Sequence, residues 1–210
     1  MKLKKITDFL EEIVPISLQE DYDNCGLIIG DKSLFINAAL ITIDCTESVI
    51  DEAIKTGCNL IIAHHPIVFN SIKKLNGNNY IERTIIKAIK NNIAIYAMHT
   101  NLDSVANGVS FKISERLGLI NTKILSPKYK VNQMDVGYGI IGDLISPVES
   151  MEFLLSLKSV MKTNCIRHTA LVKSEINKVA VCGGSGSGFL INAKELNADI
   201  YITADFKYHE

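Results

Sequence analysis

The stretch LIIAHHP, residues 60–66, decides the fold of this chain and also carries its strongest chemical signal. An apolar run from Leu60 to Ala63 is followed by His64, His65 and Pro66. A short apolar run closed by proline predicts a buried strand that delivers its last residues to a loop. Two adjacent imidazoles there are costly to bury without partners, and a divalent cation satisfies both. The stretch therefore predicts a strand that ends in a metal site.

The segments around this strand alternate between strand and helix patterns. Apolar runs predict strands at 26–30, 38–43 and 93–97, and helical spacing of apolar residues predicts helices at 46–55 and 81–90. Strands that are apolar on both faces and alternate with helices favour a mainly parallel sheet covered by helices. The sequence therefore predicts an α/β fold.

The second part of the chain repeats this pattern more weakly. Residues 121–132 are polar and contain Pro127, which predicts a boundary between two lobes. Beyond it we expect strands at 136–141, 169–172, 178–182 and 199–203, with helices at 147–157 and 189–196.

Composition narrows the class of protein. The 210 residues are 47% hydrophobic, which is enough to bury a core, and 22 basic residues balance 23 acidic ones. The basic residues are scattered, so neither a nucleic-acid groove nor a membrane-surface patch is indicated. The apolar runs are strand-sized, and a membrane helix needs about 20 residues. An odd set of five cysteines without C-x-x-C spacing predicts a reduced, cytoplasmic protein.

Ligand-type side chains follow the ends of neighbouring predicted strands. His64 and His65 follow one strand, His99 follows the next, and Asp103 comes four residues after His99. The carboxyl ends of parallel strands meet at one rim of a sheet, which is the usual ligand crevice. Nitrogen and oxygen ligands suit Zn, Fe, Mn, Co or Ni. We predict His64, His65 and Asp103 as metal ligands, with Asp103 able to bridge two cations that activate water for hydrolysis.

Three other features of the sequence keep two interpretations each. His99 is either a ligand or a partner that orients a ligand. Asp44 is either a helix cap or a contact of the site. The glycine-rich loop 183–188 could hold an anion, but a tight strand-to-helix turn is favoured. Asp23 is interpreted as shaping a turn. The sequence assigns no catalytic residue.

Six motifs in fixed order carry a family pattern. They are YDNCGL at 22–27, with Tyr22 where the family usually has Trp; ID at 43–44 leading to Thr46; IIAHHP at 61–66 with Phe69; HTNLD at 99–103; VCGG at 181–184; and DIYITAD at 199–205 followed by Tyr208 and His209. In these motifs the whole chain resembles the Nif-three-like family, whose members are named GTP cyclohydrolase 1 type 2 homologues.

The resemblance implies two similar interlinked lobes, each a mainly parallel sheet covered by helices. We place them at 1–125, with most metal ligands, and 126–210. It further implies two metal ions per subunit, a homohexamer, and metal binding by His64, His65 and Asp103. The family completes its site with a late His-x-x-x-Glu motif, whereas this sequence stops at His209-Glu210. We therefore expect a C-terminally truncated second lobe, or a centre with half of its protein ligands.

The leading hypothesis is a metal-dependent hydrolase that acts on a nucleotide or phosphoester, with the cyclohydrolase activity implied by resemblance only. One alternative is a non-catalytic metal-binding or scaffold protein that assembles as a regulatory ring. Another is an inactive remnant with an incomplete metal site. The expected partners are further copies of the chain and a small-molecule substrate of unknown identity.

Overall fold

The computed structural model describes residues 1–131, 134–207 and 209, so that Asn132, Gln133, Tyr208 and Glu210 lie outside the described residues. The chain divides into two compact units, Met1–Leu102 and Asp103–Glu210. Each unit has its own four-stranded sheet. The predicted α/β class is confirmed. The division lies earlier than the predicted boundary at 125/126, because residues 120–131 form a strand of the second sheet.

The elements of the first unit match the predicted order of strands and helices. They are α1 (Leu3–Ile13), β1 (Gly26–Ile29), β2 (Ala39–Thr42), α2 (Glu47–Thr56), β3 (Leu60–Ala63), α3 (Tyr80–Lys90) and β4 (Ala94–Ala97), and a short helix α4 (Thr100–Ser104) crosses into the second unit. Helix α2 begins at the cap Thr46, whose side chain accepts from the Val49 amide. It ends at Gly57, which has the left-handed φ of 72°.

The first sheet has the strand order β1-β4-β3-β2. Strands β2, β3 and β4 are parallel, and β1 is antiparallel to β4. The ladder between β2 and β3 continues past both strands, because the amide of His64 donates to Thr42 O (3.1 Å) and that of His65 to Ile43 O (2.9 Å). Helices α2 and α3 pack Ile50 and Ala88 against the sheet. The main chain thus fixes the histidine pair relative to two strands.

The second unit contains α5 (Val109–Arg116), β5 (Ile120–Val131), β6 (Met134–Glu149), α6 (Ser150–Val160), β7 (Glu175–Val181), α7 (Leu190–Glu195) and β8 (Ile200–Ile202). Its sheet has the order β5-β6-β7-β8. The β5–β6 and β6–β7 pairings are antiparallel, and only β7–β8 is parallel. The predicted mainly parallel arrangement therefore holds for the first sheet and not for this one. Strands β5 and β6 are too close in sequence for a parallel crossover, which needs a dozen or more residues.

Two sequence predictions in this unit differ from the structure. Most of the stretch 121–132, predicted as a boundary, lies in β5. Residues 169–172, predicted as a strand, form none, and Val172 is 87% exposed. All five cysteines are free thiols. Within the described residues, no helix combines the length and the apolarity that crossing a membrane requires.

Candidate metal centre

Three imidazoles meet at the carboxyl ends of β3 and β4. His64 and His65 follow β3 directly, and His99 follows β4 after one residue. One ring nitrogen of each histidine lies within 4.8 Å of the others. The ring centroids are 5.0 Å apart for His64–His65, 5.2 Å for His64–His99 and 5.4 Å for His65–His99. We refer to His64, His65 and His99 as the histidine cluster.

Each ring of the histidine cluster is held at Nδ1 by an oxygen atom. The partners are Met98 O for His64 (2.8 Å), Asp44 Oδ1 for His65 (2.8 Å) and Asp23 Oδ1 for His99 (2.9 Å). Carbonyl and carboxylate oxygens accept, so each Nδ1 donates and the lone pair of the neutral ring is on Nε2. Metal-binding histidines characteristically donate their other ring N–H to a carbonyl or carboxylate. The donor set therefore fits a divalent ion of the imidazole-binding kind.

Asp23 is the most constrained of these acceptors. Its side chain is fully buried, and it accepts hydrogen bonds from the His99 ring, the Thr100 hydroxyl and the Thr100 amide. The Asn24 amide (2.8 Å) and the Cys25 thiol (3.2 Å) also donate to it. Burial opposes ionisation of Asp23, but the hydrogen bonds outweigh it and hold the pKa of this carboxyl well below its usual range.

Asp44 contacts the site from the solvent side. Its side chain is 65% exposed and the His65 side chain is 50% exposed, so water screens their interaction. The helix that follows is capped by Thr46 instead. Of the two sequence interpretations of Asp44, the structure therefore shows the contact with a site residue.

Asp103, the remaining predicted ligand, lies on α4 at the start of the second unit. Within that unit, burial raises the pKa of the Cys182 thiol, and the negative charge of Asp103 raises it further. Its assignment as a metal ligand stays a prediction.

Two amides of the glycine-rich loop are bonded to side chains of the second unit. Gly183 N donates to Ser110 Oγ (3.1 Å) and Gly186 N to Thr203 Oγ1 (3.0 Å). The Tyr201 hydroxyl donates to Gly186 O. These contacts favour the interpretation of the loop as a tight turn.

The side chain of Phe69 lies beside the histidine cluster and also lines a cavity. The Phe69 ring lies 6.4 Å from the His99 ring and 6.2 Å from that of Tyr22, measured between centroids. Phe69 is 46% exposed and also lines a cavity of about 570 Å³. Lys73 and Lys74 line the same cavity.

Sequence reasoning did not assign Asp23 to the site, because it sits in a polar loop where aspartate commonly shapes a turn. Asp23 and His99 are 76 positions apart, so no local pattern links them. The partner of His64 is the backbone carbonyl of Met98, and a backbone atom cannot be recognised from the residue type. What could be inferred was the convergence of strand ends, which brings His99 to the pair His64 and His65.

Fold and site together define an α/β protein with two four-stranded sheets and a candidate metal-binding histidine cluster. The chain belongs to the Duf34/NIF3 (NGG1p interacting factor 3) family, whose sequence profile matches residues 1–210. The resemblance found in the sequence motifs is thereby confirmed.

Individual relatives agree with this assignment. The GTP cyclohydrolase 1 type 2 homolog of Clostridium acetobutylicum is 37% identical over 209 residues, which cover 100% of this chain and 78% of that protein. The protein of the same name from Clostridium perfringens is also 37% identical, over 100% of this chain and 79% of that protein. The crystal structure of a Bacillus cereus protein related to NIF3 matches with a TM-score of 0.92 at 26% identity, over 100% of this chain and 84% of that one. Reduced HcgD from Methanocaldococcus jannaschii matches with a TM-score of 0.79 at 30% identity. The match covers 100% of this chain and 80% of that one.

Proposed function

We propose that this chain binds divalent metal through the histidine cluster and Asp103, and that it is a metal-dependent hydrolase of a nucleotide or another phosphoester. One observation carries the proposal: three imidazoles converge, and each has its Nδ1 hydrogen-bonded to an oxygen.

The chemistry of the donors sets the kind of metal. Imidazole with carboxylate accepts Zn, Fe, Mn, Co or Ni. Two ions per subunit are proposed from the family resemblance, and Asp103 would help to hold them. Bound divalent ions supply Lewis-acid activation of water, which is the chemistry of hydrolysis at neutral pH.

The surroundings of the histidine cluster suit an anionic substrate with a planar ring. The half-exposed Phe69 offers a ring face or edge next to His99, and aromatic rings pack on one another in such geometries. The cavity beside Phe69 is lined by Lys73, Lys74 and Glu82, and the excess of one positive charge suits a phosphate. The name that the clostridial relatives carry points to a nucleotide as well.

Metal analysis of the purified protein tests the first half of the proposal. We expect bound first-row metal in the wild type, a large loss in His65→Ala, and wild-type content in His168→Ala. His168 is a suitable control because it is exposed and its Nδ1 contacts the carbonyl of the neighbouring Thr169 (2.7 Å). Equally negligible metal in all three proteins refutes the metal site.

A panel of nucleotides and phosphoesters tests the second half. Metal-dependent turnover that is lost in Asp103→Ala but kept in Asp8→Ala supports a hydrolase. Asp8 is exposed on α1 and pairs with Lys4, so it controls for loss of a carboxylate. Metal binding without turnover on any member of the panel supports the alternative, a non-catalytic metal-binding or scaffold protein.

We propose further that the chain forms a homohexamer and works in the cytoplasm. The first proposal rests on the family resemblance, and the second on five unpaired thiols, which suit a reducing compartment. Light scattering coupled to size-exclusion chromatography should give about six times the chain mass of 23.2 kDa. The mass of a single chain refutes the hexamer.

A further inference from the structure

We infer that Asp23 is a positioning residue that holds the His99 ring with its Nε2 presented to metal. The inference rests on the proposed metal site and adds to it a residue that is not itself a ligand. A carboxylate that accepts from the far nitrogen of a metal-binding imidazole fixes the orientation of the ring and raises its basicity.

The two oxygens of Asp23 have separate tasks. Oδ1 accepts from His99 Nδ1 (2.9 Å) and from the Asn24 amide (2.8 Å). Oδ2 accepts from the Thr100 amide (3.0 Å), the Thr100 hydroxyl and the Cys25 thiol (3.2 Å). Because Oδ2 alone has three donors, the carboxylate plane cannot rotate without breaking them. The direction of Oδ1, and with it the plane of the His99 ring, is fixed by contacts that do not involve the ring.

The main chain of His99 is fixed independently. Its amide donates to Asn101 Oδ1 (3.0 Å), and the Asn101 side chain is fully buried. The residue is therefore held at two points: Asn101 binds its backbone amide, and Asp23 binds Nδ1 of its ring. Such prior ordering reduces the entropy that a metal ligand loses on binding.

The three acceptors of the histidine cluster differ in charge and burial. Met98 offers a neutral carbonyl, and Asp44 offers a carboxylate that is 65% exposed. Asp23 offers a carboxylate with no exposure. Charge-assisted hydrogen bonds are stronger than neutral ones, and a buried one is not weakened by water. Asp23 should consequently support its imidazole more than Asp44 supports His65.

The comparison of Asp23→Asn with Asp44→Asn tests this ranking. Zn²⁺ affinity is measured by competition with a chromophoric chelator, and the visible absorption of the Co²⁺-loaded protein reports the coordination geometry. We expect Asp23→Asn to weaken Zn²⁺ binding about 10- to 100-fold and to alter the Co²⁺ spectrum. Asp44→Asn should weaken binding by a smaller factor. Equal losses in the two variants overturn the role of Asp23.

A double-mutant cycle separates positioning from general damage. If Asp23 acts through His99, Asp23→Asn adds no further loss of Zn²⁺ affinity in a His99→Ala background. An additive loss overturns the inference. Absence of Zn²⁺ binding by the wild type overturns the proposed function itself, whereas wild-type binding with an unaffected Asp23→Asn variant overturns only the role of Asp23.

One measurement needs no folded variant. In the metal-free wild type, long-range ¹H–¹⁵N correlation of the histidine rings should find His99 in the Nδ1–H tautomer, with a slowly exchanging ring proton. The exposed His168 should show a rapidly exchanging one. An Nε2–H tautomer for His99 overturns the inference.

Discussion

Two buried threonines offer a matched test of hydrogen bonding in the first unit. Thr7 on α1 and Thr84 on α3 are both fully buried. The Thr7 hydroxyl donates to Lys4 O (3.0 Å). Within the part of the chain that the structure describes, the Thr84 hydroxyl has no hydrogen-bond partner. Replacement by valine removes the hydroxyl in each case and keeps the branched shape.

The expected effects have opposite signs. Valine and threonine have similar helix propensities, and the apolar gain from a methyl group is common to both positions. Thr84→Val relieves a desolvated polar group and should stabilise the unit by about 1 kcal/mol or more. Thr7→Val loses a satisfied bond, worth about 0.5–1.5 kcal/mol. The difference between the two variants isolates the hydrogen bond.

Urea unfolding followed by circular dichroism measures this difference. Both residues lie in the same compact unit, so the same transition should move in opposite directions. If Thr84→Val destabilises the unit as much as Thr7→Val, the assignment of an unsatisfied hydroxyl is wrong.

Three further predictions concern the second unit and the thiols. Gly186→Ala should destabilise by about 1–3 kcal/mol in thermal unfolding, because a Cβ there would lie 2.7 Å from three side chains. Gly188→Ala, with open space, is the control, and equal melting temperatures would contradict this reasoning. The exposed Cys165 should react with a disulfide reagent at pH 8 well before the buried Cys45, whose pKa burial raises to about 11, and equal rates would contradict it. Burial opposes ionisation of Asp199, but its hydrogen bonds outweigh burial and lower the pKa of this carboxyl in the folded state. The unfolded state therefore binds more protons in acid, and the free energy of unfolding falls as pH drops below about 4. Asp199→Asn should flatten this dependence in urea titrations across pH, and an unchanged slope would argue against it.

The sequence predicted the first unit well because local and tertiary signals agree there. The strand Leu60–Ala63 was predicted with its observed ends. Helix α2 has both a capping threonine and a left-handed glycine, so residues next to the helix determine where it begins and ends. The same strand order brings His64 and His65 to the rim where His99 arrives.

The second unit was predicted less well because its sheet depends on pairing between strands. Residues 120–131 are polar and contain Pro127, yet they pair with β6 across the whole stretch. An antiparallel strand with one polar face does not show the continuous apolar run of a buried parallel strand. Conversely, the run that ends at Val172 has strand-forming residues but does not pair with a strand. A high β-propensity alone does not make a segment a strand without such pairing.

In the site, residue type and strand end were predictable, and the partners of the rings were not. The bond between Asp23 and His99 depends on how a loop near the start of the chain folds back over β4. Such a contact is set by three-dimensional packing and leaves no spacing in the sequence.

The continuation of the β2–β3 ladder through the amides of His64 and His65 has a consequence for engineering. These two positions are placed by main-chain hydrogen bonds to Thr42 O and Ile43 O, not by the imidazoles they carry. Exchange of either side chain for cysteine or aspartate leaves those bonds in place. The rim can thus serve as a rigid template on which ligand softness, and with it the preferred metal, is changed one side chain at a time.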